Sequence, residues 1–220
     1  SNHRAMSHLD AWLEKHDLPG ICGIDTRALT RHIRDGGAPT GLLRHSPDGR
    51  FDIAAMQGES SAWPGLEGMD LAAAVTCTEN YTWDETQWRL GIGHGRLTQP
   101  RYHVVAMDFG VKRNILRCLA TAGCRVTVVP ASATADEILS LDPDGIFLSN
   151  GPGDPAHPGK AMQARLTLAA AVADGIPTMG ICLGHQLLGL ASGLQTYKMR
   201  YGHRGANQPA AVRPPKTPEP

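Results

Sequence analysis

Apolar and polar positions follow two different periods along the second half of the chain. Short apolar runs typical of buried strands occur at His103 to Met107, Arg125 to Val129, Gly145 to Leu148 and Ile176 to Ile181. Amphipathic segments with helical spacing lie between them, at Val111 to Ala122, Ala133 to Leu141 and about Lys160 to Asp174. Strands and helices in regular succession predict a parallel sheet covered on both faces, with the functional site at the carboxyl ends of the strands.

Residues that start or stop helices support this prediction. Gly123 is expected to end the first of these helices, and Ser132 or Thr134 to cap the next one. A further helix is predicted from Leu183 to Ser192, where Gly193 ends it. The predicted strand before it therefore runs almost directly into a helix, with Cys182 at the junction.

The front half of the chain shows a weaker pattern. It predicts an amphipathic helix around Ser7 to His16, an apolar strand at Gly20 to Ile24, and a second helix from Thr26 that stops at Gly36 and Gly37. The glycine-rich stretch Leu90 to Arg101 is interpreted as a linker. The predicted organisation is a smaller part over residues 1–90, a linker over 91–101, an α/β domain over 102–208 and a proline-rich tail over 209–220.

The segment Gly180 to Gln186 places a cysteine between two close glycines where the strand meets the helix. Glycines without Cβ atoms can fit a sharp, strained turn, as in the Gly-x-Ser-x-Gly turn of hydrolases. Amides at the helix start favour a thiolate and can hold an oxyanion. Cys182 is therefore interpreted as a nucleophile, with a buried structural cysteine as the alternative.

The loop Asn150 to Pro155 follows the neighbouring predicted strand. It lacks the Gly-Lys-Ser/Thr ending of a phosphate-binding P-loop, so an anion-binding loop beside the cysteine is favoured. A simple tight turn is the alternative. Asp108 to Gly110 matches the kinase Asp-Phe-Gly triplet, but no glycine-rich nucleotide loop or His-Arg-Asp loop accompanies it. It is interpreted as a turn at a strand end.

Composition excludes several classes of function. The 220 residues carry 21 acidic and 21 basic side chains, a balance that argues against nucleic acid or a membrane surface as partner. The five cysteines are irregularly spaced, with no zinc-type array, which predicts no metal site and favours a reducing, cytoplasmic setting. No apolar run has the length of a membrane span, and no signal peptide is recognisable.

The elbow Gly180 to Gln186 and the loop Gly151 to Pro155 resemble those of class I, or triad, glutamine amidotransferases. Two further segments, Asp108 to Ile115 and Lys198 to Pro209, are similar to the small subunits of carbamoyl phosphate synthetases. In the front half, the segments Asp25 to Arg31 and Pro64 to Leu71 are also similar to these small subunits. The resemblance implies a flavodoxin-like, doubly wound parallel sheet, preceded by part of a smaller mixed α/β domain.

The resemblance also implies a reaction. Cys182 would attack the side-chain amide of L-glutamine, giving a glutamyl thioester and ammonia. The amides of Leu183 and Gly151 would form the oxyanion hole, Gly153 would border the pocket, and Gln186 would hold the substrate. His185 is interpreted as structural, because the family takes its base from a later loop. The ammonia would pass to a large synthetase subunit that itself binds ATP and magnesium, so no cofactor is expected here.

The chain departs from the family at both ends. Small subunits continue past the point matched by Pro209, and that continuation supplies the histidine base and its glutamate orienter. The chain is accordingly interpreted as an internal fragment, expected to be poorly soluble and to hydrolyse glutamine slowly. Two hypotheses stay open at this point: a glutamine-hydrolysing subunit of the arginine and pyrimidine pathways, or a non-catalytic module that docks on the large subunit.

Overall fold

A computed structural model describes residues 5, 7–37, 39–65, 69–156, 166–171 and 173–197. These form two compact units, one of residues up to Gly65 and one within Leu66–Tyr197. The division differs from the predicted boundary at Leu90 to Arg101, since that stretch lies inside the second unit and contains a strand. None of the helices within the described ranges is both long and apolar enough to cross a membrane.

The first unit is helical. Its helices are α1 (Leu9–Lys15), α2 (Thr26–Asp35) and α3 (Ile53–Ala62), and none of the three carries a buried residue. The two helices predicted from the sequence, α1 and α2, are confirmed. The predicted strand at Gly20 to Ile24 is wrong, because these residues are exposed and pair with no strand among the described residues.

The second unit is built on a five-stranded sheet with the order β1-β5-β4-β6-β7. Its strands are β1 (Tyr81–Trp83), β4 (Tyr102–Asp108), β5 (Cys124–Pro130), β6 (Gly145–Leu148) and β7 (Thr178–Gly180). The pairs β4–β5, β4–β6 and β6–β7 are parallel, as predicted. The short edge strand β1 pairs antiparallel with β5, a feature that sequence periodicity did not indicate.

Helices cover both faces of this sheet. They are α4 (Leu71–Val75), α5 (Arg113–Thr121), α6 (Ala135–Leu139), helical residues 166–171 and α7 (Leu183–Ala191). Alternate residues of β4 point to opposite faces, so Val105 packs in a core with Leu187 of α7, while Ala106 packs in a second core with Leu116 of α5. The helix predicted from about Lys160 is described only from residue 166 onward.

The order of the parallel strands places a site at one edge of the sheet. Taken in chain order, strands β4 to β7 lie in the sequence 2-1-3-4, which is the flavodoxin-like arrangement. The chain passes from β4 through α5 to β5, which lies on one flank of β4, whereas β6 lies on the other flank. The loops that follow β4 and β6 therefore meet at the topological switch point, where doubly wound sheets bind their ligands.

The stretch interpreted as a linker contains the turn and the second strand of a hairpin that packs beside α5. Strands β2 (Glu85–Arg89) and β3 (Gly93–Arg96) pair antiparallel with each other. Arg117 of α5 donates to Glu85 over 2.6 Å and lies 5.9 Å from the Trp83 ring centroid. Within the stretch itself, Arg96 donates to the Asp84 carboxylate over 2.8 Å. Arg101 donates to the Ala122 carbonyl, just past α5, over 3.1 Å. The stretch is therefore ordered structure, although its glycines give it the composition of a linker.

Candidate active site

The sharp turn between β7 and α7 has the strained conformation expected of a nucleophile elbow. Cys182, at the N-cap of α7, has φ 55° and ψ −112°, a region that residues with a Cβ rarely occupy. Two backbone bonds hold it there: Ile181 N donates to Leu148 O over 3.1 Å and Gly184 N to Ser149 O over 3.0 Å. The elbow is thus fastened to the end of the adjacent strand β6.

The flanking glycines are required by close backbone contacts. A Cβ on Gly180 would lie 2.4 Å from the Gly184 carbonyl oxygen. A Cβ on Gly184 would lie 2.1 Å from the Leu148 carbonyl oxygen. Both distances are far below van der Waals contact, so α7 begins this close to β6 only because neither residue has a side chain.

The cysteine itself is accessible. Cys182 is exposed, and no hydrogen bond to its sulfur comes from the described residues. The alternative of a buried structural cysteine is therefore wrong. His185 and Gln186 are also exposed and lie on the first turn of α7. The Gln186 side chain donates from Nε2 to the Cys182 carbonyl over 3.2 Å, beside the backbone bond from Gln186 N at 3.1 Å.

The loop after β6 lies next to the elbow, because Leu148 and Gly180 are paired in adjacent strands. Within it, a Cβ on Gly151 would approach the Phe109 carbonyl oxygen to 2.1 Å, so the loop packs tightly against the turn after β4. Gly153 has φ 101°, and a Cβ there would be 3.8 Å from the Leu71 amide nitrogen at the start of α4. Both glycines thus lie at the carboxyl ends of the parallel strands, the edge of the sheet at which the sequence predicted this loop.

Side chains tie the two loops together. Asn150 accepts from the Lys112 amide over 3.0 Å and donates to the Gly110 carbonyl over 2.9 Å. Asp108 ends β4, is 5% exposed, and accepts from the Gly110 and Val111 amides over 2.8 and 2.7 Å. The interpretation of Asp108 to Gly110 as a strand-end turn is confirmed.

Asp108 also holds the segment that covers this edge of the sheet, because its second carboxylate oxygen accepts from the Cys77 amide over 2.8 Å. Burial, and then the nearby Asp108 carboxylate, raise the pKa of the Cys77 thiol to about 11. Burial also raises the pKa of the Cys124 thiol. Two of the other four thiols are therefore less readily ionised than an ordinary cysteine.

Comparison with known families decides what kind of site this is. The family profile "Glutamine amidotransferase class-I" matches residues 105–217, just over half of the chain, and spans both loops and the elbow. The chain belongs to the class I glutamine amidotransferase family. The profile "Carbamoyl-phosphate synthase small chain, CPSase domain" matches residues 1–43. The second match includes Asp25 to Arg31, one of the segments that resemble small subunits of carbamoyl phosphate synthetases.

Individual relatives of this amidotransferase agree. It is 53% identical over 209 residues to the carbamoyl phosphate synthase small chain of Bradyrhizobium diazoefficiens, covering 95% of this chain and 52% of the relative. It is 54% identical over 211 residues to that of Agrobacterium fabrum, again covering 95% of this chain and 52% of the relative. The amidotransferase chain thus spans about half the length of the curated relatives it matches.

Several expectations are not tested by this geometry. The segment Lys198 to Pro209 and the tail to Pro220 lie outside the described residues. The roles assigned to Gly151, Leu183, Gly153 and Gln186 remain predictions, although these residues do lie around the elbow.

Sequence reasoning missed the side chains that build the site from below, namely Asp108, Ser149 and Asn150. The only signal in the sequence was that each of the three is a polar residue at, or within two positions of, the end of a buried strand.

Proposed function

We propose that the chain is the glutamine-hydrolysing part of a carbamoyl phosphate synthase small subunit. The observation that carries the proposal is Cys182, exposed at a positive φ on a turn whose two glycines allow no side chain. A nucleophile held in this way, beside the amides of a helix start, suits acyl transfer from a carboxamide. The family membership and the names of the relatives narrow the substrate to glutamine.

In the proposed reaction the Cys182 sulfur bonds to the side-chain carbonyl carbon of L-glutamine. The carbon–nitrogen bond then breaks and ammonia leaves with a proton taken from the thiol. Water next cleaves the glutamyl thioester, giving glutamate and restoring the thiol. Negative charge that develops on the carbonyl oxygen in each step would be held by the amides of Leu183 and Gly151.

The remaining site residues have supporting roles in this proposal. Gln186 lies one helical turn beyond Cys182 on the same exposed face of α7 and would bind the substrate. Gly153 would border the pocket, as the family resemblance implies, and its φ of 101° is one that a residue with a side chain rarely adopts. His185 is exposed, and no hydrogen bond joins it to Cys182 among the described residues, so we assign it no catalytic role.

The wider role is supported by the names of the relatives rather than by the geometry. We propose that the ammonia is delivered to a large synthetase subunit, which binds ATP and magnesium and forms carbamoyl phosphate for arginine and pyrimidine synthesis in the cytoplasm. This chain would need no metal or cofactor of its own. Ammonia is small and uncharged, so its transfer would require only a path between the subunits that keeps it from bulk water.

The test is ammonia release from glutamine by the purified 220-residue polypeptide, with and without a large synthetase subunit. Among the described residues no hydrogen bond joins a histidine to the Cys182 sulfur. Ammonia release should therefore be slow, well below about ten per second for an ordinary enzyme, and absent in Cys182→Ala. Removing one member of a catalytic triad typically costs several orders of magnitude in turnover. Binding to the large subunit without Cys182-dependent ammonia would favour the docking module. Ammonia release that survives Cys182→Ala would overturn the proposal.

A further inference from the structure

A buried hydroxyl lies beneath the loop that carries Gly151. Ser149 is 0% exposed, and its Oγ accepts from the Phe109 amide over 2.9 Å. The same Oγ donates to the Asn150 carbonyl oxygen over 2.8 Å. Because an amide N–H can only donate, the one hydroxyl proton is left for Asn150, and both bonds have a fixed direction.

The bond to Asn150 orients a second group. The Asn150 carbonyl and the Gly151 N–H belong to one planar peptide unit, in which they point in opposite directions. Holding the carbonyl oxygen at Ser149 therefore sets the direction of the Gly151 N–H. Ser149 also accepts from the Gly184 amide with its own carbonyl over 3.0 Å, so one residue contacts both the Gly151 loop and the elbow.

The second amide of the proposed oxyanion hole is held in the same manner. The Leu183 N–H shares its peptide unit with the Cys182 carbonyl, which accepts from Gln186 N over 3.1 Å and from Gln186 Nε2 over 3.2 Å. Each amide is thus aimed through the carbonyl of its own peptide unit. On the elbow a helix turn does this, and on the loop after β6 a side-chain hydroxyl does it.

We propose that Ser149 is a positioning residue that orients the Gly151 amide toward the charge developing on the substrate oxygen. The inference rests on the proposed glutamine hydrolysis. An oriented amide acts on the transition state more than on the bound substrate, so its loss lowers the chemical rate and leaves binding nearly unchanged. A purely structural role for Ser149 would not separate these two quantities.

The experiment follows alkylation of Cys182 by a glutamine-like chloroketone, measured by peptide mass spectrometry over a range of reagent concentrations. The thiolate sulfur bonds to the chloromethyl carbon and chloride leaves, while the ketone oxygen takes the place of the glutamine amide oxygen. Iodoacetamide, which presents no such ketone, reports the intrinsic reactivity of the same thiol. L-Glutamine should protect the wild-type chain against the chloroketone.

We expect Ser149→Ala to lower the maximal chloroketone rate about tenfold, less than the loss of a whole oxyanion donor. The half-saturating concentration and the iodoacetamide rate should stay within about twofold, since the thiol and the pocket are unchanged. Should the alanine variant not fold, Ser149→Cys replaces the hydroxyl with a weaker donor and acceptor and should lower the rate in the same direction.

Two controls separate orientation from stability. Ser149→Thr keeps the hydroxyl but adds a methyl group in a fully buried place, so it should lose stability and keep the chloroketone rate. Thr127→Val deletes another buried hydroxyl, which bonds to His103 Nε2 over 2.8 Å, and should likewise keep the rate.

The inference is overturned if Ser149→Ala reacts with the chloroketone as fast as the wild type. It is also overturned if both reagents slow equally, or if Ser149→Thr is as slow as the alanine variant. Failure of the proposed function looks different: the wild-type chain itself would react without saturation and without protection by L-glutamine, and the inference would fall with it.

Discussion

Replacing Gly184 with alanine should separate helix α7 from strand β6. The Cβ of an alanine would lie 2.1 Å from the Leu148 carbonyl oxygen, 2.5 Å from its carbon and 2.7 Å from the Leu148 Cβ. None of these atoms is the far end of a flexible side chain, so a rotamer change cannot relieve the contact. The helix start has to move about 1.3 Å to reach the 3.4 Å of ordinary contact.

Two consequences have measurable size. Overpacking of this kind costs about 1–3 kcal/mol of unfolding free energy, because backbone and side chains shift from their preferred positions. For a chain of this length that lowers the melting temperature by roughly 2–12 °C. The displacement also moves Cys182, and a misplacement of reacting groups by about 1 Å can cost about a hundredfold in rate.

Gly189→Ala is the matched control, since it lies in the same helix. Its nearest neighbour would be the Leu194 Cδ1 at 3.8 Å, an ordinary contact. Alanine in a helix interior is favoured over glycine by about 0.5–1 kcal/mol, so this variant should be as stable as the wild type or more so. Thermal unfolding and the rate of chloroketone labelling at Cys182 are measured on all three chains.

The reasoning predicts that Gly184→Ala loses both stability and labelling, while Gly189→Ala loses neither. If Gly184→Ala had the melting temperature of the wild type and its Cys182 were labelled at the same rate, the close approach of α7 to β6 would be refuted. If both variants lost stability equally, helix propensity rather than packing would be the cause.

Iodoacetamide should label Cys182 faster than the other thiols and label Cys77 and Cys124 slowest, since their pKa values are raised; equal labelling in the folded chain would be the contrary result. Burial raises the pKa of Cys77 from near 9 to about 11, so its contribution to stability is complete below about pH 9 and is lost as the pH rises toward 11. Subtracting the unfolding free energies of Cys77→Ala from those of the wild type should show that decline, and a flat difference would contradict it. Thr134→Ala should cost about 1 kcal/mol by breaking a capping box, while Ser132→Ala should cost nothing measurable; chemical denaturation tells them apart.

The sequence predicted most of the larger unit because its strands and helices differ in period. Helix ends were also legible: Gly123 has φ 92° just past α5, and of the two cap candidates the structure selects Thr134, whose hydroxyl accepts from the Glu137 amide. The edge strand β1 was not predicted, because three residues are too few to show the alternation of apolar and polar positions typical of a strand. Its pairing with β5 also depends on residues far away in the sequence.

The elbow could be predicted because its chemistry is local, whereas the network below it could not. Gly180, Cys182 and Gly184 lie within five residues of one another, and that spacing alone marks a sharp turn, even though the close contact of Gly184 is with the distant Leu148. Ser149 and Asp108, in contrast, contact residues 40 and 31 positions away, the Phe109 and Cys77 amides. No spacing along one sequence reveals such contacts, so these residues looked like ordinary turn formers.

The central claim is that Cys182 is acylated by glutamine, and trapping the thioester tests it most directly. The chain is mixed with isotope-labelled L-glutamine, quenched in acid and examined by peptide mass spectrometry. The account predicts a glutamyl adduct on the peptide containing Cys182 that is released by hydroxylamine and is absent from Cys182→Ala. An adduct that remains in Cys182→Ala, or a complete lack of adduct on a folded wild-type chain that the chloroketone still labels, would contradict it.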